Sequence, residues 1–232
     1  MAGQKGGDIL KTVDVFDGEK WTIGKPLSIA RTGFGLASHD DGFLYAVGGQ
    51  GEGEVGALTS VERFDGENWS AGTDLKTNRY YFGLASYKGG LYAVGGLTAD
   101  PPPSLSDSMV TSVEVFNGAK WSTLETSLSK PRYNFRLASY NGLLYAVGGQ
   151  NDQGTYFKSV EVFDGKKWNN GTDLNTARAA FGLASYNGSL YAAGGGDEND
   201  NILDSVEVFD GSKWTPGPNL AIARQRFGLA SL

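Results

Sequence analysis

The chain has 232 residues, 35 of them glycine, with no cysteine and a formal net charge of −6. The acidic balance disfavours nucleic-acid binding, which needs a basic surface, and the lack of cysteine excludes disulfides, thiolate metal sites and thiol catalysis. No apolar run is long enough to predict a membrane span, and the N-terminal residues lack the apolar core of a signal peptide, which favours a cytoplasmic location.

The first repeated element of the chain is a short pair of strands. Residues 12–18 alternate apolar and polar side chains, end on Asp-Gly and are soon followed by Trp21. Alternation closed by Asp-Gly predicts a β-hairpin. The element returns four times, so that the tryptophans are spaced 48, 52, 47 and 46 residues apart. The five copies contain every tryptophan of the chain, namely Trp21, Trp69, Trp121, Trp168 and Trp214.

A second element follows each tryptophan and begins with an arginine. It reads Arg-Thr-Gly-Phe-Gly-Leu-Ala-Ser at its first occurrence, and its small apolar residues predict a strand in a crowded part of the fold. The arginines are Arg31, Arg79, Arg132, Arg178 and Arg224. The hairpin elements supply five matching acidic residues, which are Asp14, Glu62, Glu114, Glu161 and Glu207. We expect structural ion pairs between strands, repeated from unit to unit; a functional ring of cations is the alternative.

The third element is the box Leu-Tyr-Ala-Val-Gly-Gly. It occupies residues 44–49, 91–96 and 144–149, and with one change 190–195. A strand that stops at two glycines predicts a sharp turn or a close approach of the backbone. The loops that follow differ most between units, over residues 50–59, 97–111, 150–158 and 196–204. Variable loops on a regular frame are typical sites of binding specificity.

One unit therefore contains four short strands and about 50 residues, which resembles the kelch repeat. The resemblance implies an all-β, kelch-type β-propeller with four-stranded antiparallel blades, the Phe-Gly-Leu-Ala strand innermost and the tryptophan strand outermost. The chain departs from the family in having Phe-Asp-Gly where Tyr-Asp-Pro is common. We interpret residues 1–232 as a single propeller domain with repeats at about 12–31, 32–78, 79–131, 132–177 and 178–223, and a closing strand at 224–232.

The fifth blade is predicted to be composite and defective. Its first strand would come from the C-terminal segment and its third and fourth strands from residues near the N-terminus, since closure removes exposed sheet edges. No fifth copy of the box exists to supply its second strand, unless residues 1–7 serve as a degenerate one. A fragment of a longer propeller is the alternative interpretation.

Residues that break the repeat are the candidate binding site. In kelch-type substrate adaptors, two positions after the repeated arginine and one after the glycine doublet line the rim of the central cavity. Carried over to this chain, these positions give Gln50, Tyr80, Tyr81, Leu97, Tyr133, Asn134, Gln150, Gln225 and Arg226. Tyrosine and arginine dominate interface hot spots, whereas Ala179 and Ala180 leave one side of the mouth bare. The tyrosines of the boxes are interpreted as core between blades.

The partner expected at this rim is a peptide or protein, and its charge is predicted from the loops. These carry Glu52, Glu54, Asp152, Asp197, Glu198 and Asp200, which would favour a basic or neutral segment. Residues 197–201 resemble a calcium loop only faintly, because they lack its glycine and closing glutamate, so no metal is expected.

The leading interpretation of function is a non-catalytic scaffold that binds its partner on the loop face, with no cofactor. The resemblance also offers a sugar-acid epimerase or mutarotase of the sialic-acid type as an alternative. Copper-oxidase chemistry is excluded, because the chain has one histidine, His39, and no cysteine for the cross-linked ligand. His39 lies in a turn and is interpreted as a solvated side chain rather than a catalytic base.

Overall fold

The structure is a computed structural model that describes residues 4–5, 8–52, 56–98 and 108–230. The described residues form short antiparallel strands joined by tight turns, and none of them lies in a helix long and apolar enough to cross a membrane. Four sheets have four strands each, in sequence order across the sheet, and two further sheets have two strands each. The all-β, kelch-type propeller fold predicted from the repeat is confirmed.

The four complete sheets are numbered as blades 1 to 4. Blade 1 contains β5 (Gly35–Ser38), β6 (Leu44–Val47), β7 (Val61–Phe64) and β8 (Trp69–Ala71). Blade 2 contains β9 (Gly83–Tyr87), β10 (Gly90–Val94), β11 (Val113–Phe116) and β12 (Trp121–Thr123). Blade 3 contains β13 (Arg136–Tyr140), β14 (Leu143–Val147), β15 (Val160–Phe163) and β16 (Trp168–Asn170). Blade 4 contains β17 (Gly182–Tyr186), β18 (Ser189–Ala193), β19 (Val206–Phe209) and β20 (Trp214–Gly217).

The fifth blade is incomplete. Its outer part is the pair of β3 (Asp14–Phe16) and β4 (Trp21–Ile23). Its inner position is taken by residues 227–229, which pack on Gly182 of blade 4 as Phe135 and Leu137 pack on Gly83 of blade 2. The described part of residues 1–7 does not supply the missing strand, because β1 (Gln4–Lys5) pairs with β2 (Asp8–Ile9) in a hairpin of its own. Residues 231–232 of the expected closing strand lie outside the described residues.

The core of the molecule lies between neighbouring blades. Tyr45 and Val47 point from β6 toward blade 2, where they meet Leu91 of β10 and Phe116 of β11. Equivalent clusters fill the interfaces between blades 2 and 3 and between blades 3 and 4. Each blade therefore depends on its neighbour to bury its apolar faces, as expected of a repeat architecture.

Buried ion pairs tie successive blades together. Each pair joins an arginine that follows one outer strand to a glutamate on the third strand of the next blade, at 2.9–3.0 Å. The pairs are Arg31–Glu62, Arg79–Glu114, Arg132–Glu161 and Arg178–Glu207. All four arginines are 0% exposed, and burial lowers the pKa of each guanidinium from its ordinary value. The glutamates also accept backbone N–H groups, as Glu114 does from Lys76 and Thr77.

The fifth arginine differs from the other four. Arg224 is exposed, its Nε donates to the Ile222 carbonyl at 3.4 Å, and its guanidinium lies over the Phe227 ring. The repeated arginine therefore keeps its place in the sequence but not its buried environment, because the blade that would receive it is incomplete.

The interpretation of His39 as a solvated turn residue is wrong. Its side chain is only 6% exposed and packs edge-on against Tyr45 and Phe116. Its Nε2 lies 3.1 Å from the carbonyl oxygen of Gly89, in the next blade. Blades 2 and 3 have a tyrosine at this position, and Tyr140 likewise donates to the carbonyl of the following blade. The turn does not expose the ring, because the ring reaches across the blade interface.

Candidate functional site

The inner strands surround a central cavity of about 680 Å³. It is lined by the strand starts of blades 1 to 4 and by residues 226–229, so that the C-terminal segment borders the same opening as the four complete blades. Glycine is required on most of these strands, because a Cβ on Gly35 would lie 2.5 Å from the Cβ of Leu84 in the next blade. Close approach of the inner strands thus sets the width of the cavity.

A chain of backbone hydrogen bonds runs around the mouth of this cavity. It links the second residue after each repeated arginine, and every such residue has a positive φ, between 52° and 60°. From the second such residue onward, each N–H donates to the carbonyl of the equivalent residue one repeat earlier, at 2.7, 3.0, 2.7 and 2.7 Å along the chain. The residues are Gly33, Tyr81, Asn134, Ala180 and Arg226.

The left-handed backbone at this position strains any residue other than glycine. A non-glycine residue there costs on the order of 1–3 kcal/mol, and such strain concentrates at functional sites. Tyr81, Asn134 and Arg226 accept this conformation, and all three line the cavity. These three predicted site residues are therefore brought together at the mouth.

The other predicted site residues form a layer outside the mouth. The first residue after each of the four buried arginines pairs with the residue after the glycine doublet, which in turn pairs with the following loop. Tyr133, for example, pairs with Gln150, and Gln150 with Tyr156. Gln50, Tyr80, Tyr133 and Gln150 are half-buried in this layer, and Gln225 is exposed. Leu97 is 2% exposed, so its side chain belongs to the core rather than to a contact surface.

Sequence reasoning missed Arg136, which projects from an inner strand into the cavity. The other four units have glycine at this position, so the signal was a single arginine in the Phe-Gly-Leu motif. Its Nη2 donates to the Phe227 carbonyl at 3.3 Å, and burial lowers the pKa of the guanidinium to about 10. Among the described residues no carboxylate forms an ion pair with it. A desolvated cation without an acidic partner attracts an anionic group.

Tyr156 was also missed, because it lies in a variable loop that the repeat does not predict. Burial and the charges of Asp200 and Asp197 raise the pKa of its hydroxyl, and the nearby Arg226 opposes them. Tyr156 thus marks a place where loop carboxylates, tyrosines and Arg226 meet beside the mouth. The signal available was the aromatic pair Tyr156-Phe157 in an otherwise polar loop.

The charges around the mouth fall into two zones. The lining of the cavity carries two cations, Arg136 and Arg226, whereas the loops outside it carry the acids. Asp197 is engaged locally, since it accepts the N–H groups of Asn199 and Asn201. Among the described residues no three acidic or histidine side chains cluster as metal ligands. Glu54 of the loops lies outside the described residues.

The arrangement of blades around a central cavity defines the chain as a β-propeller, and the comparisons agree. The kelch motif matches residues 131–175 and 177–221. These two matches are consistent with the resemblance of the repeat to the kelch family. The solved structure described as "Structure of YjhT" is similar, with a TM-score of 0.79 and 15% sequence identity over 93% of this chain and 78% of that chain. No curated protein sequence matches this chain.

Proposed function

We propose that the chain is a binding module that holds a segment of a protein partner at the mouth of the central cavity. The observation that supports this most is the set of repeat-breaking side chains on the strained backbone ring. Tyr81, Asn134 and Arg226 occupy one structural position in three units, yet share no residue type. Packing demands the same residue in every blade, whereas recognition of an asymmetric partner demands different ones.

The chemistry of the lining also supports binding. Among the described residues, the titratable side chains that line the cavity are Tyr81, Arg136 and Arg226. Two of these are arginines, a residue type that can hydrogen-bond to a carboxylate of a ligand, and none is a carboxylate or imidazole suited to exchange protons near neutral pH. The proposed partner segment therefore places an acidic side chain or a C-terminal carboxylate toward Arg136, while the loop acids contact basic residues farther out.

A peptide library displayed on phage tests the proposal. Peptides selected on the wild-type protein are remeasured by fluorescence anisotropy with three variants, Tyr81→Ala, Arg136→Gly and Lys167→Ala. We expect Tyr81→Ala to weaken binding by more than about tenfold, as for an interface hot spot. Arg136→Gly restores the residue of the other units, and should weaken only peptides that carry an acidic group. Lys167, on an exposed outer turn, is the control.

A sugar acid is the second candidate ligand, favoured by the same two arginines. Its carboxylate would pair with Arg136, and the experiment is to follow the anomers of sialic acid by NMR with and without the protein. Accelerated exchange that Arg136→Gly abolishes, together with peptides that bind Tyr81→Ala as well as wild type, would overturn the binding-module proposal.

A further inference from the structure

The central cavity has an apolar layer at its inner end. On each inner strand the lining ends at a leucine, three residues beyond the ring of left-handed residues at the mouth. These leucines are Leu36, Leu84, Leu137, Leu183 and Leu229. Three residues of strand span about 10 Å, which is also the length of three extended residues of a ligand chain. The cavity therefore has room for a short stretch of polypeptide between its mouth and the leucine layer.

Arg136 lies in the wall between the mouth and this layer, and its hydrogen bonds differ from those of the structural arginines. Arg132, on the same blade, makes four hydrogen bonds of 2.8–3.1 Å, one of them to Glu161. Arg136 makes two, of 3.3 and 3.4 Å, and both go to backbone carbonyls. A guanidinium has five N–H groups, so three of those on Arg136 have no acceptor among the described residues.

The charges of the lining favour a carboxylate over an amine as the ligand group. The described residues that line the cavity include Arg136 and Arg226 but no aspartate or glutamate. An ammonium group inside the cavity would meet only cations, whereas a carboxylate can accept two parallel N–H groups of one guanidinium. Burial lowers the pKa of the Arg136 guanidinium only to about 10, so this side chain remains a cation at neutral pH.

The depth of Arg136 favours a carboxylate at the end of a chain over one on a side chain. Arg136 is two residues beyond Asn134 of the mouth, which places it about 7 Å further along the strand. A segment lying across the mouth would have to span this depth with a single acidic side chain. A C-terminus instead carries its carboxylate inward on its own backbone, and no second stretch of chain has to return through the cavity.

We infer that the partner segment enters the cavity by its C-terminus and ends in an apolar residue. This inference rests on the proposed function and specifies its ligand. The free carboxylate accepts N–H groups of Arg136, and the last side chain packs on the leucine layer. The residues that precede it pass Tyr81 and Arg226 at the mouth.

Phage libraries that leave the C-terminus of the displayed peptide free provide the probe, and we expect the selected peptides to end in apolar residues. The tightest peptide is synthesised with a fluorescent label in three forms, namely as the free acid, as the C-terminal amide, and with Gly-Ser added after its last residue. By fluorescence anisotropy we expect the amide to bind at least about tenfold more weakly, because a charge-assisted hydrogen bond is lost. The extended peptide keeps its charge but sets serine against the leucines, and should also lose at least about tenfold.

Variants of Arg136 locate the carboxylate. Arg136→Gly restores the residue of the other four units, and we expect it to bind the acid and the amide equally, because neither then meets a guanidinium. Arg136→Lys keeps the charge without the planar fork, so it should retain part of the preference for the acid. Lys167→Ala, on an exposed outer turn, is the control and should retain all of it. A purely structural role of Arg136 would weaken both peptides alike and preserve the ratio of their affinities.

The outcomes separate this inference from the proposed function. Equal binding of acid and amide to the wild-type protein, or an unchanged acid-to-amide ratio in both Arg136 variants, would overturn the inference. So would peptides obtained only from libraries whose C-termini are blocked. The proposed function survives these results if the peptides still lose affinity with Tyr81→Ala. It fails together with the inference if no library yields a peptide that binds.

Discussion

The interface between blades 1 and 2 and the gap in the fifth blade contain the same residue types in opposite environments. At the complete interface, Phe116 and Trp121 are buried and Arg79 forms an ion pair that solvent does not reach. At the gap, Phe16, Trp21 and Arg224 occupy the corresponding repeat positions and are exposed. Residue type is constant across this comparison, so the difference in burial comes from the missing strand.

Some features of each repeat unit form without a neighbouring blade, and others require one. The outer hairpin of the incomplete blade keeps its strands, its turn and its Phe16–Trp21 ring contact at 5.3 Å. That contact is as close as the one between Phe116 and Trp121. Hairpin formation is therefore local, whereas the aromatic rings are buried only where the blades on both sides of an interface have all four strands, and the arginines only where the blade that receives them does.

The largest difference in unfolding free energy between the two regions is expected at the repeated arginines. Glu114→Leu removes the carboxylate from Arg79 and leaves a guanidinium that is 0% exposed without its partner. Breaking a buried pair in this way costs about 3–5 kcal/mol of unfolding free energy. Arg224→Leu, at the same repeat position beside the gap, should stay within about 0.5 kcal/mol of wild type. Urea unfolding measures both, and similar losses would mean that Arg224 has a buried partner in solution.

A smaller difference in unfolding free energy is expected at the tyrosines that end the inner strands. Tyr140 donates to the Gly188 carbonyl at 2.7 Å in the next blade. Tyr140→Phe removes this hydrogen bond and should lower the unfolding free energy by about 1 kcal/mol. Tyr186 has no complete blade to reach and is 56% exposed, so Tyr186→Phe should leave the stability unchanged. A loss for Tyr186→Phe equal to that for Tyr140→Phe would show that the fifth blade is filled in solution.

The architecture was predictable because the repeat is encoded in local patterns. The Asp-Gly turns, the glycine doublets and the spacing of tryptophans each follow from short-range backbone requirements. The incomplete fifth blade followed from the same counting, since the box occurs four times and the hairpin five. These features need no knowledge of which side chains meet across a blade interface.

The candidate site was only partly predictable, because its geometry depends on the ring. The sequence does not separate the two positions after each arginine, of which the second lines the cavity in every unit and the first lines it only at Thr32. Leu97 was included because it follows a glycine doublet, yet its side chain is buried. Arg136 lies on an inner strand rather than in a variable loop, and its one signal in the sequence is an arginine where the other four units have glycine.

The smallest effect on stability is expected at the Asp-Gly turns, which have the same structure in the incomplete blade and in the complete blades. Asp17, in the incomplete blade, and Asp210, in blade 4, both accept two backbone N–H groups, which lower the pKa of each carboxyl. Asp210 also accepts the Ser212 hydroxyl at 2.8 Å, and its pKa is lowered to about 2. Ser212→Ala removes only this last donor.

Ser212→Ala should therefore raise the pKa of Asp210 toward its ordinary value and leave that of Asp17 unchanged, as followed by NMR titration of the carboxyl carbons. A carboxyl whose pKa is lower in the folded state contributes stability that is fully present above its unfolded pKa of about 3.8. That contribution is lost as the pH falls toward 2, so Ser212→Ala should shrink the loss of stability between these two pH values. A parallel change at Asp17 would mean that the turns of the two regions are coupled through the ring rather than local to each hairpin.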